Sequence, residues 1–230
     1  MKTRRRPTFS DRRDAGRVVA DDLASYRYRH DGRDVLVLGL ARGGVPVGWE
    51  VAARLGAPLD VCLVRKLGVP QYPELAMGAL ATGGGVVLND DLLRSLGLGD
   101  DDVHAAVQRE SVELRRREQA YRGGRAPLDV TDKTVILVDD GIATGASMLA
   151  AVRSVRQIGA GLVVVAVPVG PGEVCDRLRR EADDVVCSFT PSDLRAVGEF
   201  YADFRQVSDD EVRTLLATPT VSDSQATGNR

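Results

Sequence analysis

Five short runs dominated by apolar residues punctuate the chain: VLVLGL (35–40), LDVCLV (59–64), TVILVD (134–139), LVVVAVPV (162–169) and DVVCSF (184–189). Each is rich in β-branched residues and bounded by turn formers, which is how strands buried on both faces of a parallel sheet read. Between them, apolar positions recur at helical spacing over 45–55, opened by Pro46, over 145–158, closed by Gly159, and over 173–181. Strand alternating with helix predicts an α/β fold with connecting helices on the faces of a mostly parallel sheet.

Three stretches break the alternation. Residues 10–30 predict an N-terminal helix capped by Ser10 or Asp11. Residues 76–89 predict a hairpin with a glycine tip, and 101–121 a highly charged helix; together they make an insertion, about 68–122, between the second and third core strands. The end of the chain, through TPTVSDSQATGNR, has no periodicity and little apolar content, so a disordered tail is expected over 217–230.

Length and charge narrow the partners. The 230 residues suit one domain, expected over 1–216, and 31 basic against 33 acidic side chains encode no general pull toward nucleic acid or membrane. Any anion site is therefore local. Cys62, Cys175 and Cys187 are odd in number and widely spaced, and His30 and His104 lie far from them, so neither a disulfide framework nor a zinc site is expected. That usage fits a reducing, cytoplasmic setting. MKTRRRPTF leads into SDRRDAG rather than into an apolar run of about 7–15 residues, so no secretory signal is expected, and no stretch approaches the roughly 18 apolar residues of a membrane span.

The chemistry concentrates in VILVDDGIATGAS, residues 135–147, where a strand ends in Asp139 and Asp140 and turns through small residues into a helix. The loop amides, the hydroxyls of Thr144 and Ser147 and the positive helix end suit a phosphate, while carboxylates suit a vicinal diol or a divalent metal. A sugar phosphate with a free diol satisfies both halves.

This stretch resembles the phosphoribosyl pyrophosphate motif of type I phosphoribosyltransferases. The resemblance covers about residues 10–216. It implies an α/β fold of that type, with a small hood from about 1–33 and 189–216. It also implies that Asp139 and Asp140 contact the ribose hydroxyls and, directly or indirectly, Mg²⁺. The loop Gly141, Ile142, Ala143, Thr144, Gly145, Ala146 and Ser147 would grip the 5-phosphate. After the first strand, Ala41, Arg42, Gly43 and Gly44 match the pyrophosphate loop, with a non-proline cis peptide implied near Ala41–Arg42; on its own, A-R-G-G reads better as a tight packing turn, and its position one strand into the fold reverses that preference. Arg65 and Lys66, expected at the carboxyl end of the second strand, would neutralise departing pyrophosphate, ahead of a mobile loop over about 68–85.

The acceptor half departs from the family pattern. Many 6-oxopurine enzymes carry an acid where Ala143 stands, and adenine enzymes use a hairpin glutamate that GALATGGG lacks; Glu74 and Glu199 are the nearest candidates. AVPVGP lacks the lysine that 6-oxopurine enzymes direct at the exocyclic oxygen. Phe189 matches a stacking position, whereas Phe200, Tyr201 and Phe204, at helical spacing, are read as packing residues. Trp49 is expected to pack against the sheet, and Arg115 to Arg117 to form a solvated helix face. The implied activity is Mg²⁺-dependent phosphoribosyl transfer from phosphoribosyl pyrophosphate to a nitrogenous acceptor, a nucleobase or similar ring, with release of pyrophosphate; the alternative is a non-catalytic regulator that senses phosphoribosyl pyrophosphate or a nucleotide through the same site. A homodimer is common in the family, and the 101–121 helix is a candidate contact.

Overall fold

A computed structural model describes residues 9–27, 29–30 and 32–220. The expected tail beyond 220 and the residues before 9 lie outside the described residues. Helix α1 (Arg12–Asp22) precedes strands β1 (Arg29–His30) and β2 (Arg33–Leu40), followed by α2 (Gly44–Leu55) and β3 (Leu59–Cys62). The insertion carries β4 (Val64–Val69), β5 (Tyr72–Ala81), β6 (Val86–Leu88), α3 (Asp90–Leu96) and α4 (Asp100–Arg122). The second half alternates β7 (Thr134–Val138), α5 (Ala146–Gln157), β8 (Leu162–Val169), α6 (Gly172–Leu178) and β9 (Asp184–Phe189), and ends in α7 (Asp209–Ala217).

The central sheet runs β3-β2-β7-β8-β9, all parallel, with the two-residue β1 antiparallel on β2. Strand alternation divides its side chains between two apolar layers. Val35, Val37, Ile136 and Val138 pack with Val19 and Leu23 near α1 and with Val47 and Val51 of α2. Leu36, Leu38, Val135 and Leu137 pack with Met148 and Val152 of α5 and Leu178 of α6. Burial of such a side chain contributes roughly 1.5–3 kcal/mol. This double-sided burial produces the unbroken apolar runs of the sequence.

Several boundaries differ from the sequence reading. The N-terminal helix stops at Asp22, well short of residue 30; a 3₁₀ turn follows over Ala24–Tyr26, and the Tyr26 hydroxyl donates to Asp184 Oδ2 at 2.7 Å. Its cap is Asp11, whose carboxylate accepts the Asp14 amide at 2.8 Å. The LDVCLV run is two strands. Cys62 is the last parallel residue; the Leu63 amide donates to Thr82 Oγ1 at 2.9 Å, and Val64 opens a separate antiparallel sheet β4-β5-β6. The expected mobile loop over 68–85 is therefore largely a hairpin, paired from Val64↔Ala81 to Val69↔Tyr72. Arg65 and Lys66 lie inside β4, not at the end of a core strand.

One further expectation needs correction. Phe200, Tyr201 and Phe204 do pack together, but not on a helix: a single 3₁₀ turn spans Val197–Phe200 and the chain then extends. Trp49 packs at the β3 edge, in the cluster of α7 and the insertion, with the Arg13 guanidinium 5.2 Å above its ring. Asn89 caps α3, a helix not foreseen, by accepting the Leu92 amide at 3.2 Å. The Cys187 thiol donates to the Phe189 carbonyl at 3.3 Å, and the neighbouring Cys187 lowers the pKa of the Cys175 thiol. No described helix is long and apolar enough to cross a membrane.

Candidate active site

The site is built at the carboxyl ends of β2 and β7, where open parallel sheets place their ligand crevice. All five residues of β7 are buried, and Asp139 and Asp140 emerge directly from it. Asp139 Oδ1 accepts the Asp140 amide at 2.8 Å. Asp140 Oδ2 accepts from Arg12 Nε at 2.7 Å, and its carbonyl oxygen accepts the Tyr201 hydroxyl at 2.5 Å. Burial raises the pKa of both carboxyls. Asp139 stands well above the usual carboxylate range, through burial first and then the neighbouring Asp140 charge, while Arg12 opposes the rise at Asp140.

The 41–44 loop lies against this acid pair. A Cβ on Gly43 would collide with the Asp140 carboxylate, and one on Gly44 with the Val138 carbonyl, so close approach rather than unusual backbone angles demands glycine there. The peptide Ala41–Arg42 is cis, as the resemblance implies. Arg42 pairs with Asp209 of α7 at 3.4 Å.

On the other side, the 141–147 loop leads into α5. Ile142 anchors it, buried and with its amide on the Val169 carbonyl at 2.9 Å, while Ala143, Thr144, Ala146 and Ser147 are exposed. Gly145 sits in the left-handed region at φ 76° and N-caps α5 without a side-chain hydrogen bond. The amides of Ala143, Thr144 and Gly145 donate to no other described residue. Free amides at a helix start form an anion cradle. Arg177 of α6 donates to the Thr144 carbonyl, bringing a guanidinium to the same loop.

The structure brings together Ala41 to Gly44, Asp139, Asp140 and Gly141 to Ser147. It does not bring Arg65 and Lys66 into contact with the acid pair. Arg65 is engaged by Glu110 of α4, at 2.7 and 3.0 Å, and Lys66 donates to the Glu74 carbonyl at 2.9 Å. Both line a cavity of about 540 Å³ on the antiparallel sheet, with Arg109 and Pro70. A second cavity, about 780 Å³, abuts the anion cradle at Thr144, Ala146 and Arg177. Phe189 is partly buried, its ring 5.7 Å from Phe200. Glu74 lies on exposed β5, and Glu199 in the 3₁₀ turn of the hood segment.

Arg12 and Arg177 are the side chains that sequence reasoning missed. Arg12 is one of several arginines on a polar helix, and Arg177 lies 30 residues past Ser147; nothing local distinguishes either from a solvated cation.

The crevice at these strand ends thus combines an acid pair facing a glycine loop with an open anion cradle. A family model for the phosphoribosyl transferase domain matches residues 14–205, and the chain belongs to that family. It is 49% identical over 208 residues to a Mycobacterium tuberculosis (strain H37Rv) protein named "Putative phosphoribosyl transferase Rv0571c", covering 90% of this chain and 46% of that one. The chain thus spans about half the length of the curated relatives it matches at that identity. Adenine phosphoribosyltransferase of Marinobacter nauticus is 33% identical over 172 residues, covering 73% of this chain and 75% of its own. The crystal structure of TT1426 from Thermus thermophilus superposes with a TM-score of 0.77 at 45% identity, covering 91% of this chain and 97% of its own.

Proposed function

We propose that the chain transfers the phosphoribosyl group of phosphoribosyl pyrophosphate to a ring nitrogen of a small acceptor, of the nucleobase class, and releases pyrophosphate. The observation that carries this reading is the contact between Gly43 and Asp140, which sets a loop suited to a diphosphate against acids suited to a ribose diol. The anion cradle at Ala143 to Ser147 then lies where the 5-phosphate of the same sugar would sit.

In the reaction the acceptor nitrogen bonds to C1 as the C1–O bond to pyrophosphate breaks, and the acceptor's proton passes to solvent or to the leaving group. Asp139 and Asp140 orient the sugar through its hydroxyls, and the cradle fixes the far end, so the reacting carbon is held in line. Amides of the 41–44 loop stabilise the charge that develops on pyrophosphate.

The donor set bears on the metal. Among the described residues no group of three or more His, Cys, Asp or Glu could hold an ion. One oxygen of Asp139 and one of Asp140 are taken by the Asp140 amide and by Arg12. Two carboxylates with one oxygen each to spare fit Mg²⁺ that arrives with the diphosphate, since this ion is commonly held by one or two carboxylates plus substrate phosphates. Bound there, the ion would offset leaving-group charge.

A second reading, a sensor of the same donor, is favoured by the engagement of Arg65 and Lys66 with Glu110 and Glu74 and by the absence of an acid at Ala143. A cytoplasmic setting and a homodimer complete the proposal. Pyrophosphate release across a panel of bases, with Asp139→Asn/Asp140→Asn as control, separates the readings. A ribosylated product supports the transferase; donor binding without product supports the sensor; no donor binding sinks both.

A further inference from the structure

The guanidinium of Arg12 is engaged on several sides at once. Its Nε donates to Asp140 Oδ2 at 2.7 Å, its Nη1 donates to the Arg205 carbonyl at 2.8 Å, and its Cζ lies 4.0 Å from the centre of the Phe204 ring. The side chains of Arg12 and Asp140 are only 11% and 15% exposed. An ion pair between exposed, mobile side chains contributes little, but this cation is held by a carbonyl and a ring before it reaches the acid.

Asp140 is correspondingly confined. Gly43 presses on its carboxylate from the 41–44 loop, and the Tyr201 hydroxyl holds its carbonyl. Oδ2 is taken by Arg12, whereas Oδ1 accepts from no other described residue. A carboxylate with one oxygen committed and the other open presents a single acceptor in a set direction, as recognition of a sugar hydroxyl requires.

We infer that Arg12 is a positioning residue of the donor site: it commits one oxygen of Asp140 so that the other faces the sugar diol, and so ties recognition of the sugar to the segment formed by α1 and residues 200–205. This rests on the donor site proposed above. Arg12 acts on the diol half alone, because its contacts lie at Asp140 and not at the phosphate cradle.

The test is calorimetric titration of ribose 5-phosphate and, separately, inorganic phosphate, in the presence of a chelator, for wild type, Arg12→Gln, Arg12→Lys, Asp140→Asn and Arg12→Gln/Asp140→Asn. Arg12→Gln is expected to weaken ribose 5-phosphate about tenfold, in line with loss of one charge-assisted contact, and to leave phosphate within about twofold. Arg12→Lys recovers most of the loss. In the Asp140→Asn background, Arg12→Gln adds nothing further. Phe204→Leu, which keeps the ion pair and removes the ring beneath it, gives a smaller loss in the same direction and covers the case in which Arg12→Gln folds poorly. Equal weakening of both ligands, or an undiminished effect on top of Asp140→Asn, overturns the inference. Failure of the underlying donor reading looks different: wild type would then bind neither ribose 5-phosphate nor phosphoribosyl pyrophosphate.

Discussion

The central sheet is buried on both faces, the antiparallel insertion chiefly on one. Every residue of β7 is buried, as are seven of the eight in β8, whereas the first five residues of β5 are exposed. The parallel sheet is held by apolar layers on both faces. The insertion buries chiefly one side, through Leu67, Met77, Leu80, Ala106 and Leu114, and carries ion pairs besides: Arg65 on Glu110, Lys66 on Glu74 and Arg122 on Asp60. The acids proposed to hold the sugar stand on the rigid part, and the cations expected to meet the leaving group stand on the part whose ion pairs must rearrange first. That division suits a site in which the donor is anchored before closure completes the constellation.

The largest expected effect comes from cutting the joint between the two regions. Arg122, at the end of α4, donates through Nε to both oxygens of Asp60 at 3.0 Å and through Nη2 to the Val61 carbonyl at 3.1 Å, with side chains only 5% and 8% exposed. Arg122→Met leaves Asp60 buried without its cation, which typically costs about 3–5 kcal/mol. Chemical denaturation measures it. A loss below about 1 kcal/mol, typical of a surface pair, would mean that the insertion does not depend on this joint.

Next is the acid pair, which separates function from stability on the rigid side. Asp139→Asn/Asp140→Asn is expected to weaken phosphoribosyl pyrophosphate binding on the order of 100-fold, from two lost charge-assisted contacts, while the melting temperature does not fall. A fall in melting temperature would show the pair to be structural and blur the contrast.

A smaller effect is expected on the charged side. Glu110→Gln weakens the hold on Arg65, a pair that is partly exposed, so global stability shifts by about 1 kcal/mol or less. Amide exchange in β4 and β5 should rise a few-fold with β2 and β7 unaffected, because opening is a local property of each unit. Equal acceleration in both sheets would refute the division.

The same contrast governed what could be read from the sequence. Strands buried on both faces announce themselves as apolar runs, and the acid pair follows directly from one of them, so the sheet, its helices and the small-residue loop after the acid pair were legible. The break at Leu63 was not, because LDVCLV is apolar on both sides of it and the turn is set by Thr82, 19 residues away. VRKLGV and YPELAMGALA carry charge, glycine and proline, so their strand character comes from pairing with each other rather than from their own pattern. Arg12 was invisible because its partner lies 128 residues downstream.

A last test asks what the parallel sheet gives up to keep two acids at its strand end. Burial and the neighbouring Asp140 charge raise the Asp139 carboxyl well above its usual range, so the folded state holds that proton more tightly than the unfolded chain. Its contribution to stability is therefore fully present below the unfolded carboxylate pKa of about 4 and is lost as pH rises through the higher folded value. Glu113 and Glu181, held by arginines, have lowered pKa values and push the other way, with stability gained as pH rises, so the wild-type profile alone mixes both. The informative quantity is the difference between wild type and Asp139→Asn, followed by urea denaturation from about pH 4 to about pH 8. Wild type should lose stability relative to the variant as pH increases, because only wild type must ionise a buried acid. A difference independent of pH would mean that Asp139 is already ionised throughout, and that the strand end holds its charge without strain.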